Sequence, residues 1–241
     1  MPSTLPAPRR FSAVLFGLSG CLVDFGARTL PEAVRRLRPN LAGNLPGDCP
    51  PSAALGQVPV AGELQCLEQA LAESAAAHAE ATPGALARLA HLHAQGVPCA
   101  WLSELPADAS RRLADPLPSW LPAAFSSRPR PWPAPDACWQ ALAGLEVDTL
   151  EGVVLVSGEP RLLQAGLNAG LWTVGLAVCG PLCGHGPGDW QALAPRARER
   201  LRADATLALY RLGVHSVIDH LDELAPGLDD LAARRLSGEK P

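Results

Sequence analysis

Ala13-Val-Leu-Phe-Gly-Leu-Ser-Gly-Cys-Leu-Val-Asp-Phe-Gly26 is the stretch on which the fold turns. Its first half continues an apolar run, Phe11 to Phe16, that stops at Gly17. A short apolar run bounded by glycine reads as a buried strand of a parallel sheet. Past Asp24 the pattern turns helical over Leu30 to Leu37, with Pro31 at an early helical position where its missing N–H costs nothing. Residues 39–60 are rich in Pro and Gly and read as irregular, whereas Glu63 to Ala79 carries strong helix formers and reads as a long helix.

From Thr82 onward, helices and short apolar strands alternate. Helices are expected over 84–95, 106–114, 136–144, 160–169, 191–212 and 221–235. Strands are expected over 97–102, 152–157, 171–177 and 216–218, with a further short one at 121–125 inside a proline-rich loop. The alternation predicts βαβ units, hence an α/β, doubly wound parallel sheet with a small, reduced helical cap inserted after the first strand. The core takes residues 11–27 and 82–235, the cap 28–81, and 1–10 and 236–241 are flexible termini. Ligands on such sheets bind at the carboxyl ends of the strands. That singles out Gly17 to Asp24, Ser103, the 126–135 loop and Gly158 to Leu163.

Composition narrows the chemistry. The 241 residues carry 20 Lys and Arg against 24 Asp and Glu, a net charge of −4, and 48% are hydrophobic. That is enough apolar material for a substantial core. Only one of the 20 cations is a lysine, Lys240, next to the last residue. A mechanism built on a buried lysine is therefore nearly excluded. Mild acidity without a basic cluster argues against nucleic acid as a partner. The 7 cysteines (Cys21, Cys49, Cys66, Cys99, Cys138, Cys179, Cys183) are scattered and odd in number, which reads as a reduced, cytoplasmic protein. Phe11 to Phe16 is too short for a signal segment or a membrane span.

The strand ends also carry a resemblance. The 13–26 stretch resembles the hydrophobic strand and D-W-A-G-T-T-V-D-F-G motif of the haloacid dehalogenase superfamily, in its phosphonoacetaldehyde hydrolase branch. Ser103, after Trp101-Leu102, sits where the second motif's Ser or Thr stands. Arg130-Pro-Trp-Pro133 is similar to the basic third motif, although Pro133-Ala-Pro-Asp136 is a second register that would put Trp132 at the basic position. Gly158-Glu-Pro-Arg-Leu-Leu-Gln-Ala-Gly-Leu-Asn-Ala-Gly-Leu-Trp-Thr-Val-Gly175 resembles the fourth motif, G-D-x-x-x-D, and its N-A-G-M-W-T-V-G continuation. Gly213-Val-His-Ser-Val-Ile-Asp219 resembles the closing G-A-H-x-x-I-D.

The departures from that pattern decide what the resemblance implies. The family's nucleophilic aspartate, which forms an aspartyl-phosphate, falls on Gly17. The two fourth-motif aspartates that help hold Mg²⁺ fall on Glu159 and Leu163. The cap lysine that forms a Schiff base with the aldehyde has no counterpart between Asp24 and Thr82. The resemblance thus implies a catalytically inactive homologue with no cofactor, neither Mg²⁺ nor a Schiff-base lysine, that acts by binding. The alternative is a hydrolase with an altered, metal-poor mechanism on a small phosphorylated or phosphonate substrate, water being activated by Glu159 or Asp24.

What survives would cradle phosphate: the Ser103 hydroxyl, the Arg130 guanidinium, and Ser19 with the amides of the Gly17–Gly20 loop. A serine at a strand end also serves as a turn former or helix cap, so Ser103 has a second reading. Cys179 and Cys183 near His185 have loop rather than zinc character, since no second ligand pair exists at metal spacing. His215 and His220 read as structural, His91 and His93 cannot face one ligand from i,i+2 positions, and Cys21 reads as core. The tryptophans near the second and third motifs either pack or fill the vacated site. A cap of two helices leaves apolar faces, so a homodimer or protein partner is expected through residues 29–80, with a small phosphorylated ligand as a further expectation.

Overall fold

Five parallel strands in the order β2-β1-β3-β4-β5 form the framework: β1 (Ala13–Gly17), β2 (Cys99–Leu102), β3 (Val153–Ser157), β4 (Trp172–Leu176) and β5 (Ser216–Ile218). The structure, a computed structural model, describes residues 10–37, 61–124 and 130–241. The helices are α1 (Thr29–Leu37), α2 (Ala61–Ala77), α3 (Ala85–Ala94), α4 (Ala107–Leu113), α5 (Asp136–Gly144), α6 (Pro160–Asn168), α7 (Pro187–Ala192), α8 (Pro195–Leu212) and α9 (Leu224–Leu236).

Side chains alternate across each strand, so the sheet buries two separate faces. Val14, Phe16, Val154, Val156, Val174 and Leu176 join the insertion helices and α9 on one side. Ala13, Leu15, Ala100, Leu102, Val153 and Leu155 meet α5 and α6 on the other. This is the doubly wound α/β sheet that the alternation of elements predicts, with a helical insertion after β1. No helix among the described residues is long and apolar enough to cross a membrane.

The insertion leaves and rejoins the core through a two-stranded contact. Val23 pairs antiparallel with Ala81, Asp24 N donates to Glu80 O at 3.1 Å, and Thr82 N donates to Leu22 O at 3.0 Å. Arg28 adds an ion pair to Glu80. In α2, Leu67, Ala70, Leu71, Ser74 and Ala75 recur at helical spacing and are buried, as are His78 just beyond its end and Ala33 and Val34 of α1. These residues of α1 and α2 face the chain's own core, whereas Leu64 of α2 and Leu86 of α3 are exposed. The irregular 39–60 stretch and Cys49 lie outside the described residues.

Two local expectations are corrected. The single helix over 191–212 is two, α7 and α8, because Ala194 precedes Pro195 and takes an extended ψ of 144°. The strand expected at 121–125 is only a parallel bridge from Ala123 to Trp101 on the outer side of β2. Pro122 removes one amide that the segment could donate.

Candidate functional site

The carboxyl ends of β2, β1 and β3 lie side by side, with β1 in the middle. Gly17 closes β1, and its fitness for that position is steric. A Cβ there would lie 2.6 Å from Ser157 Oγ, 3.2 Å from Ser157 Cβ and 3.4 Å from Leu162 Cδ2. Ser157 Oγ is itself in use, accepting the Glu159 amide at 2.9 Å. Behind them the loops after β1, β3 and β4 touch backbone to backbone: a Cβ on Gly158 would lie 2.5 Å from both Gly20 O and Gly180 Cα.

The loop after β1 spends its polar groups internally. Leu18 N donates to Leu102 O at 3.0 Å and Gly20 N to Val23 O at 2.9 Å. The Ser19 hydroxyl donates to Asp24 Oδ2 at 2.7 Å. Asp24, fully buried, also accepts the amides of Arg28 (2.9 Å) and Thr29 (3.0 Å) that lead into α1. Of the groups expected to form an anion nest, the Ser19 hydroxyl and the Leu18 and Gly20 amides thus have partners within the protein. Asp24 organises the entry to the insertion.

Ser103 is half-buried in the loop after β2, and its Oγ accepts the Leu105 amide at 3.1 Å and the Ser110 hydroxyl at 3.0 Å. That is the geometry of a turn former tied to α4. Arg130 has a side chain 71% exposed and pairs with Asp136 at 3.0 Å. Trp132 is the buried one of the two third-motif residues, packed in the cluster that holds Leu15, Leu102, Leu155 and Leu162. Trp172 is the first residue of β4 and so lies at the end of the parallel sheet opposite the strand carboxyl ends. Glu159 caps α6, accepting the Arg161 amide at 3.3 Å, and Leu163 is fully buried.

The residues that do converge here are ones that motif spacing passes over. Glu104, just after β2, and Arg161, just after β3, form an ion pair of 2.5 Å spanning the two strands that flank β1. The Trp132 backbone joins them from both sides: its N–H donates to Glu104 Oε1 at 2.6 Å, and its carbonyl accepts from Arg161 Nη2. Glu104 and Arg161 side chains are only 19% and 16% exposed. Nothing in the sequence signals this pair, since 104 and 161 are far apart and Arg161 falls on a variable position of the fourth motif.

The remaining chemistry-bearing groups are quiet. Burial, then proximity to Cys179, raises the Cys21 thiol well above its ordinary range, and its Sγ lies 3.4 Å from Val156 O. Burial likewise raises Cys179 and lifts Cys183 to about 11, so neither is poised as a thiolate. Among the described residues no three His, Cys, Asp or Glu side chains come together in a way that could hold a metal ion.

Known proteins place this architecture. A phosphonoacetaldehyde hydrolase of Bordetella avium is 29% identical over 97% of this chain and 95% of its own length. That of Aeromonas hydrophila subsp. hydrophila is 33% identical over 68% of this chain, a stretch that spans 61% of the Aeromonas protein. A phosphonoacetaldehyde hydrolase-like protein of Oleispira antarctica superposes with a TM-score of 0.85 over 100% of this chain and 99% of its own, at 21% identity. No family model matches the chain. The chain belongs to the haloacid dehalogenase superfamily, on its phosphonoacetaldehyde hydrolase-like branch.

Proposed function

We propose that this chain is a catalytically inactive homologue of the phosphonoacetaldehyde hydrolases and acts by binding, as a regulatory or scaffolding protein. One observation carries the proposal. The end of β1 holds no nucleophile, and Ser157 occupies the space that a side chain at position 17 would need. A covalent route through that residue would require both a new side chain and a rearranged neighbour.

The donor set supports the same conclusion. A hard divalent cation asks for several oxygen ligands. The two positions that the family resemblance assigns to the metal hold a glutamate engaged in capping α6 and a buried leucine. These do not fit Mg²⁺. The aldehyde-activating lysine has no equivalent, because Lys240 is the one lysine in the sequence. The alternative of water activated by Asp24 meets a carboxylate that already accepts three hydrogen bonds.

The test is phosphate release from phosphonoacetaldehyde and from phosphate monoesters with Mg²⁺ added. The expected rate does not exceed that of a Ser103→Ala, Glu159→Gln variant prepared identically. A rate that the variant abolishes overturns the proposal.

A further inference from the structure

We propose that Glu104 is a built-in occupant of the strand-end site, an internal carboxylate seated on Arg161 and the Trp132 amide where a small phosphate-like oxyanion binds once Glu104 withdraws. This rests on the reading of the site as a binding site. It adds the chemistry of the ligand and the device that controls access.

Three features of the geometry lead there. First, the Glu104 carboxylate is received as an oxyanion ligand would be. One oxygen takes the Trp132 N–H at 2.6 Å and the other a guanidinium N–H at 2.5 Å. A guanidinium with a neighbouring amide is a general oxyanion receptor and does not discriminate a carboxylate from a phosphate by charge alone. Second, the receptor has anchors besides its occupant. Arg161 Nη2 is bound to the Trp132 carbonyl, and Trp132 itself is buried among Leu15, Leu102 and Leu162. Removing Glu104 therefore leaves the cation pointing at the same place. Third, the occupant is the movable part. Glu104 lies in the 103–106 loop between β2 and α4, so its side chain can swing out without breaking a strand or a helix.

Energetics then favour replacement over vacancy. A guanidinium that is mostly buried loses its carboxylate at a cost unless another anion arrives. The receptor offers one guanidinium and one backbone amide, a donor set that suits a compact oxyanion rather than an extended acidic peptide. Its apparent affinity in the wild-type chain is lowered by the fraction of molecules in which Glu104 is seated.

Isothermal titration with inorganic phosphate and with methylphosphonate tests this on the full chain. Glu104→Ala is expected to bind at least about tenfold more tightly than wild type, the factor that a site open in about one molecule in ten would give. A Glu104→Ala, Arg161→Met chain is expected to lose that gain. Where Glu104→Ala folds poorly, Glu104→Gln supplies the same comparison, because its amide keeps an acceptor for Trp132 N–H but no charge for Arg161. A folded Glu104 variant with wild-type affinity overturns the proposal, as does a gain that survives loss of Arg161. Turnover in the opened variant is a separate outcome: it would leave the oxyanion site standing and overturn the proposed inactivity.

Discussion

Gly17 and Ser157 stand side by side at the carboxyl ends of β1 and β3 with room for one side chain between them, and Ser157 has it. Any Cβ at position 17 would press to 2.6 Å from Ser157 Oγ. Ser157 can rotate away only by giving up the Glu159 amide. Gly17→Ala should therefore destabilise by about 1–3 kcal/mol, the usual cost of overpacking, and Gly17→Asp by more because it also buries a carboxylate. Ser157→Gly should recover part of the loss in the double variant. Urea unfolding of the four chains reads this directly; an unaltered midpoint for Gly17→Ala would show that the space exists after all.

Asp24 is expected to matter for stability and not for chemistry. It accepts the Ser19 hydroxyl and the amides of Arg28 and Thr29 while fully buried. Asp24→Ala leaves those donors unpaired and should cost about 1–3 kcal/mol. Asp24→Asn should cost less, since it keeps an acceptor and tolerates the φ of 58° at this position. Thermal unfolding orders the three proteins, and an Asp24→Ala melting point equal to wild type would contradict the capping role.

His215 should give the fold a one-sided pH dependence. Burial, and after it the nearby Arg234, lowers its pKa from the ordinary 6.5. Its Nδ1 accepts the Thr173 amide at 3.0 Å, which fixes the neutral ring. The unfolded chain therefore takes up this proton first as pH falls. The stabilisation is complete above about pH 6.5 and declines below it until the folded-state pKa is reached. His215→Gln should flatten that part of the stability curve. An equal slope in both proteins would assign the acid loss to other groups.

Much of the framework was legible in the sequence because it depends on local pattern. The apolar run ending at Gly17 is β1, the expected helix 136–144 is α5, and Ser216–Ile218 is β5, each set by neighbours in sequence. Pro195 carried a helix-start signal that outweighed the helix formers around it and split 191–212. The site was legible only by its positions. Gly17, Ser103 and Glu159 could be placed at strand ends, but the sequence offers two registers for the third motif, with Arg130 or Trp132 at its basic position. Burial of Trp132 is a matter of tertiary packing around a proline-rich loop. The Glu104–Arg161 pair was invisible for the same reason: the sheet order puts the ends of β2 and β3 on either side of β1, and no spacing along the chain encodes that approach.

The most direct test of catalytic inactivity is a single-turnover measurement, with protein in molar excess over phosphonoacetaldehyde and Mg²⁺ present, following acetaldehyde and phosphate together. An inactive chain releases neither beyond the rate seen with Ser103→Ala, Glu159→Gln protein. Stoichiometric release of both products by the wild-type chain, lost in that variant, would contradict it.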